Sequence, residues 1–252
     1  MKTMLSKNKT TRRQFLASAI LTTAGAVFLG VEAVPALAAE PGTMPAPKPA
    51  AAHPDSAGWP RLFMESLSDA IAPPGVWSFA GDVLTATKDE TLWTQKEYEN
   101  FVLDLEFKTA PGTNSGVFVY GSDLKNWIPN SVEIQIADDF AEKWAKWPKT
   151  WRCGAIFGHL APTRSVVRRP GEWNRMTVTC KGSRIEVVLN SVQIVSADLR
   201  QWISAKVNPD GSPVPAWLSK PMAELPTRGH IGLQGKHAGA PIYFRNLRIK
   251  QT

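Results

Sequence analysis

Only two cysteines occur in the 252 residues, Cys153 and Cys180, and neither belongs to a CxxC motif. This argues against thiol–disulfide redox catalysis and against a structural zinc site. An oxidising compartment would permit a bridge between them. Each also sits in an apolar run, where a free thiol packs as a small hydrophobe, so pairing stays open. No HExxH-type ligand motif is present. No internal repeat recurs at a fixed period, and few long stretches carry a helical pattern. The one extended apolar stretch, from Phe15 to about Val31, is broken by Thr22, Thr23 and Gly25 and is short for a membrane span. Excess charge is also scarce. The formal net charge is +7, but before residue 39 five cations (Lys2, Lys7, Lys9, Arg12, Arg13) face one anion, Glu32. Removing that surplus of four leaves +3, which gives no argument for a nucleic-acid partner.

What the N-terminus does contain is an address. Thr11-Arg12-Arg13-Gln14-Phe15-Leu16 matches the twin-arginine export pattern, and Ala36-Leu37-Ala38 offers a small-x-small cleavage site. Residues 1–38 are therefore expected to be a signal peptide, the alternative being an uncleaved anchor. Cleavage would give a periplasmic or secreted protein with no stable membrane anchor. Residues 39–58 are rich in Pro and Ala and read as an extended tether with no core of its own. The folded part is expected over 59–252.

Within it, three segments alternate apolar and polar residues with period two: Ser131–Asp139, Gly171–Asp198 and Arg228–Lys250. In the first, Val132, Ile134 and Ile136 share one face, Glu133 and Gln135 the other. Turn signals recur at short spacing, among them Pro111-Gly112, Gly182-Ser183 and Asn190-Ser191. Many short strands with few helical patterns predict an all-β fold, an antiparallel two-sheet sandwich. Gln201–Thr227 carries five prolines and is expected to be a long loop packed over one edge or mouth of the sheet.

Chemistry-bearing side chains gather at predicted strand ends. Glu133 and Gln135 lie about 7 Å apart on one polar face, and Asp138 and Asp139 follow. Carboxylates beside an amide can do acid–base work on a sugar; an exposed polar face with nothing bound is the plainer reading. Gln234 and His237 follow an apolar run in a Gly-rich loop, and imidazole can serve as base, acid or ligand. His159 has a similar setting, whereas His230 reads as structural. Ten tryptophans offer flat apolar faces of the kind sugar C–H surfaces stack on. Trp93, Trp127, Trp144, Trp147 and Trp151 are the candidates, and Trp173 reads as packing. Trp144, Trp147 and Trp151 would align on a helix, but Pro148 interrupts one. Asn114 and Ser115 suit either ligand binding or a turn.

Taken in order, Leu92-Trp93, Asn114–Phe118, Glu133–Ile136 with Asp138, Gly154–Gly158, Gly171–Asn174, Arg228–Gln234 and Phe244–Lys250 resemble the 3-keto-disaccharide hydrolase (DUF1080) domain family, over about residues 59–250. Ala137 stands where that family tends to have Leu. Phe157 stands where Tyr is common, and Asn190-Ser191 where Asn-Gly is usual. The resemblance implies a concanavalin-like jelly-roll and a carbohydrate substrate oxidised at C3. A 3-keto group acidifies the C2 hydrogen, so a carboxylate or His can remove it. The enolate then expels the C1 substituent, and water adds back. Because the resemblance brings the Glu133 strand and the Gln234–His237 loop together, and both carry titratable groups at strand ends, Glu133, Asp138 and His237 are the candidate catalytic residues, with Gln135, Gln234, Trp93, Asn114, Arg152 and His159 the candidates around the substrate. The enolate would need a divalent cation, or Arg152, Lys143 or Gln234, as stabiliser; no cofactor is specified. Such sandwiches also serve as non-catalytic glycan-binding modules, so the fold alone does not give activity.

Overall fold

The computed structural model describes residues 53–252. The chain forms β1 (Ala70–Ile71), β2 (Trp77–Ala80), β3 (Val83–Ala86), β4 (Thr91–Tyr98), β5 (Phe101–Thr109), β6 (Asn114–Gly121), β7 (Val132–Ala137), β8 (Trp173–Lys181), β9 (Arg184–Leu189), β10 (Val192–Asp198), β11 (Gly229–Gln234) and β12 (Ile242–Gln251). These make two antiparallel sheets, an all-β jelly-roll sandwich. One sheet has five strands in the order β1-β4-β11-β6-β7, the other seven in the order β10-β9-β8-β5-β12-β3-β2.

Period-two alternation decides which face each strand buries. Phe101, Leu103, Leu105 and Phe107 of β5 are fully buried against Ile134 and Ile136 of β7, Val117 of β6 and Ile231 and Leu233 of β11 within one core. Each such side chain contributes roughly 1.5–3 kcal/mol on burial. Residues of opposite parity on the five-stranded sheet, including Glu133, Gln135, Phe118 and Trp93, point away from that core.

Two tight hairpins join β8, β9 and β10. The second turns at Asn190 (φ 48°) and Ser191 (φ 65°). Both are left-handed, as a two-residue turn between right-twisted strands requires. Ser at the second position is strained. Asn190 anchors the turn, its Nδ2 donating to Val166 O at 2.8 Å and its Oδ1 accepting from Arg175 N at 3.1 Å.

One sequence expectation changes. Residues 53–58, assigned to the tether, dock on the outer face of the seven-stranded sheet. Ser191 N donates to His53 Nε2 at 2.9 Å. That leaves the proton on Nδ1, which faces Thr177 Oγ1 at 2.8 Å. Thr177 in turn donates to Asp104 Oδ1 at 2.6 Å, and Ser56 Oγ donates to Asp104 Oδ2 at 2.5 Å. Burial and the nearby Arg175 cation lower the His53 pKa, which suits this neutral acceptor role. Cys153 lies in a loop and Cys180 in β8. Both cysteines are free and buried, and burial pushes both thiols up. The signal-peptide expectation, residues 1–38, lies outside the described residues. Among the described residues no helix is long and apolar enough to cross a membrane. Residues 201–227 do form the long irregular loop expected of them.

Candidate active site

The outer face of the five-stranded sheet carries the candidate residues in rows set by strand register. In one row Glu133 lies opposite Phe118, Phe118 opposite Gly232, and Gly232 opposite Trp93. In the next, Gln135 lies opposite Gly116, while Gln234 pairs with Thr91. Beyond β7 a short stretch of loop adds a further edge. Ile156 bridges Ile134, and Phe157 N donates to Glu133 O at 2.9 Å. Phe157 is therefore the neighbour of Glu133 on that side.

Glu133 thus stands between two phenylalanines contributed by different segments. It is half-buried, and among the described residues no ion pair forms to it. Loss of water pushes its carboxyl from 4.5 up to about 8, because burial without a compensating cation disfavours the charged form. Space for the carboxyl comes from Gly116: a Cβ there would sit 2.9 Å from Glu133 Cγ and 3.0 Å from Cδ. Glycine inside a strand usually marks such a close approach.

Gln135 is buried. Turned to suit its surroundings, its amide nitrogen donates to Glu133 Oε1 at 3.1 Å and to Ser115 O at 3.2 Å, and its oxygen faces the Asn114 side chain at 3.0 Å. Ser115 Oγ donates to Gln234 O at 2.7 Å. Glu133, Gln135 and Asn114 therefore form one connected polar track. Gly232 plays the same spacing role for Trp93, whose ring atoms come within 2.6 Å of where a Cβ would be. Trp93, Phe118 and Trp127 then cluster, with centroids 5.5 Å apart for Trp93–Phe118 and 4.5 Å for Phe118–Trp127.

The other sequence-derived candidates are placed differently. Asp138 is buried, and its carboxylate accepts from Gly112 N at 2.7 Å and Phe140 N at 3.1 Å. It closes a turn and is not joined to Glu133. His237 bridges Asn114 through the backbone, and its Nδ1 meets Asp89 Oδ2 at 2.7 Å. It lies at the Asn114 end of the face, roughly 13 Å along the strand from Glu133 at 3.3 Å per residue. Arg152 donates to the carbonyls of Ala145 (3.0 Å) and Asp139 (3.4 Å), tying down its own loop. His159 is buried in a separate cluster centred on Asn208. Asn208 Oδ1 faces His159 Nδ1 and accepts from Trp202 Nε1, each at 3.1 Å. Burial lowers the His159 pKa. His230 is structural, its Nδ1 against Thr94 O at 2.8 Å. Among the described residues no three His, Cys, Asp or Glu side chains are grouped to hold a metal ion. A cavity of about 430 Å³ lies elsewhere, on the outer face of the seven-stranded sheet, between Trp59, Thr177, Glu186 and Lys250.

Sequence reasoning passed over Gly116, Gly232, Phe118 and Phe157 as site-forming residues. The two glycines inside strands were the available signal for the first pair. Nothing local marks Phe118 and Phe157 as flanks of Glu133, since only register brings them there.

Comparison with known proteins gives the family. Residues 58–250 match the sequence profile described as the 3-keto-alpha-glucoside-1,2-lyase-like domain. The chain belongs to this family. A curated relative, the 3-keto-disaccharide hydrolase of Bacteroides thetaiotaomicron, is 26% identical over 173 residues. That alignment covers 61% of the chain and 59% of the relative, so the chain spans under two thirds of that protein. A crystal structure from Parabacteroides distasonis, provisionally named a glycosyl hydrolase, is 54% identical. It covers 77% of this chain and 99% of its own, with a TM-score of 0.75. A second structure from the same organism, also provisionally named a glycosyl hydrolase, is 22% identical with a TM-score of 0.61. It covers 74% of this chain and 89% of its own and shares the fold. Family membership supports a glycan-related function.

Proposed function

We propose that this domain cleaves 3-keto-glycosides on the outer face of its five-stranded sheet, with Glu133 as the group that moves the proton. The observation that carries this reading is a desolvated carboxyl, with its pKa pushed up to about 8, among aromatic rings and amides. A carboxylate that binds its proton this tightly is a strong base when ionised. It removes the C2 proton, made acidic by the neighbouring C3 ketone. The C–H electron pair passes to the ketone oxygen as an enolate. The enolate collapses with loss of the C1 oxygen substituent, which takes up a proton and leaves as an alcohol. The product is an unsaturated 3-keto sugar; water adding across its new double bond gives the free 3-keto sugar, completing a hydrolysis. Asn114 and Gln234 are the amide donors we assign to the enolate oxygen, while Gln135, whose amide nitrogen is engaged by Glu133 and Ser115 O, holds the carboxyl in position. Trp127, half-buried, offers ring surface for the sugar, and the buried Trp93 packs against it.

In this proposal Asp138 shapes the turn beside the site. His237, oriented by Asp89, serves the far end of the face. The name of the Bacteroides relative supports the substrate class. The twin-arginine pattern supports action outside the cytoplasm.

One observation favours a second reading, a glycan-binding module without catalysis: among the described residues no other titratable side chain is hydrogen-bonded to Glu133. Incubating purified protein with 3-keto-trehalose or a 3-keto-glucoside, with and without EDTA, separates the two. Release of free sugar supports the enzyme. Saturable binding with the sugar recovered whole supports the module and overturns the proposal. Loss of release in EDTA would add a metal to the mechanism.

A further inference from the structure

The loop after β7 begins a second feature. It reads Lys143-Trp144-Ala145, Lys146-Trp147-Pro148, Lys149-Thr150-Trp151, three tandem triplets that each start with Lys. Two single 3-10 turns, Glu142–Trp144 and Lys149–Trp151, flank Pro148, which caps the second. The turns stack the rings into a ladder. Trp144 and Trp147 stack with centroids 3.8 Å apart and 29° between their planes. Trp147 and Trp151 follow at 5.4 Å, Trp151 and Phe157 at 5.2 Å. Phe157 is the cross-strand neighbour of Glu133, so the ladder runs from the candidate site outwards. The three tryptophans are half-buried, while Lys143, Lys146 and Lys149 are exposed.

Charge is concentrated on the same loop. Residues 53–252 hold 23 basic and 20 acidic side chains. Residues 141–152 hold four of these bases (Lys143, Lys146, Lys149, Arg152) against one acid, Glu142. Their surplus of three equals that of all the described residues, so the remainder is balanced. The neighbouring carboxylates face other donors: Asp138 accepts from Gly112 N and Phe140 N, and Asp139 from Cys153 N at 3.0 Å. The Trp144 indole N–H is enclosed with no acceptor, which is unusual for a buried donor.

We propose that this loop is a recognition platform for the part of a glycoside beyond the scissile bond, and that it selects substrates carrying an anionic group there, a carboxylate or a sulfate. The inference rests on the proposed function for the place of the reacting ring at Glu133. Ring faces of the ladder stack on the leaving group. The lysines meet its charge. Half-burial of the rings favours a ligand lying along the ladder over insertion into a lipid surface.

The test uses the Glu133→Gln protein, to suppress turnover, and tryptophan fluorescence or calorimetry. The probes are a glucuronate-containing oligosaccharide, a sulfated one and a neutral glucan of equal length. We expect at least about 10-fold tighter binding of one or both anionic probes, and this preference should fall steeply between 50 and 500 mM salt, as for exposed charges. The triple variant Lys143→Gln/Lys146→Gln/Lys149→Gln should lose the preference while keeping its affinity for the neutral glucan. Trp147→Ala should weaken all three probes. Equal binding of neutral and anionic probes by the parent overturns the inference. So does an unchanged preference in the triple variant, or lysine-dependent binding to anionic lipid vesicles without binding to the anionic sugars. The parent protein then distinguishes the two readings. Equal cleavage of 3-keto-glucosides with neutral and carboxylated leaving groups removes the inference and keeps the proposed function. Selective binding with no cleavage of either does the reverse.

Discussion

Glu133 occupies the space that a side chain at position 116 would fill. A Cβ on Gly116 would lie 2.9 Å from Glu133 Cγ and 3.0 Å from Cδ, closer than packed carbons allow. Gly116→Ala should therefore swing the carboxyl off its position while leaving the β6–β7 ladder intact. Displacing a catalytic group by about 1 Å costs roughly 10²-fold in rate. We expect that loss in kcat/KM on a 3-keto-glucoside, with an unchanged circular dichroism spectrum. Full activity in the variant would show that the position of Glu133 is immaterial.

If Glu133 is the base, its ionised form is the active one. With its pKa near 8, kcat/KM of the parent should climb with pH through neutrality and level off above about 8. Glu133→Gln should lose about 10²-fold or more and show no such climb. A profile that is flat from pH 6 to 9 would exclude Glu133 as the base.

The same carboxyl should weaken the fold at alkaline pH. Its folded pKa, about 8, lies above the ordinary 4.5, so between those values the folded state holds a proton that the unfolded chain has released. Stability attributable to this group is full below about pH 4.5, declines as pH rises through the window and is lost above 8. Glu133→Gln removes the penalty. Denaturant titrations should find the variant more stable than the parent at pH 9, by up to a few kcal/mol at about 1.4 kcal/mol per pKa unit. The two should nearly coincide at pH 4.5. Equal stability at both pH values would show that the carboxyl is well solvated.

Ser191 holds φ 65° in the β9–β10 turn, where an L side chain is strained by about 1–2 kcal/mol. Ser191→Gly relieves that strain, and the added freedom of the unfolded chain offsets part of the gain. The net expectation is about 0.5–1 kcal/mol of added stability, or ~2–3 °C in Tm. The Ser191 N–H bond to His53 survives because it uses backbone. A lower Tm would mean that the hydroxyl contributes more than the strain costs.

For export, Arg12→Lys with Arg13→Lys should leave the precursor in the cytoplasm, as judged by fractionation and the mass of the accumulated protein. Undiminished export of the double variant would rule out the twin-arginine route.

The sequence by itself determined the strands, their faces and the family. Alternation at Val132, Ile134 and Ile136 assigned Glu133 and Gln135 to the polar side because side chains in a strand must alternate. Five prolines between 201 and 227 marked a long loop there, which holds no strand and no more than single 3-10 turns. These are short-range constraints, each readable within a window of a few residues. The tertiary structure decided what the polar residues do. Asp138 looks as available as Glu133 in the sequence, yet Gly112 N, 26 residues earlier, claims one of its oxygens. Residues 53–58 look like more tether, yet Ser56 finds Asp104 and His53 finds Thr177 and Ser191 across the sheet. Glu133 is made to hold its proton near neutrality by Phe118 from β6, Phe157 from the loop beyond β7 and the missing side chain of Gly116. Solvation of a charge depends on everything packed around it, and those neighbours are brought together by register across strands, not by proximity along the chain.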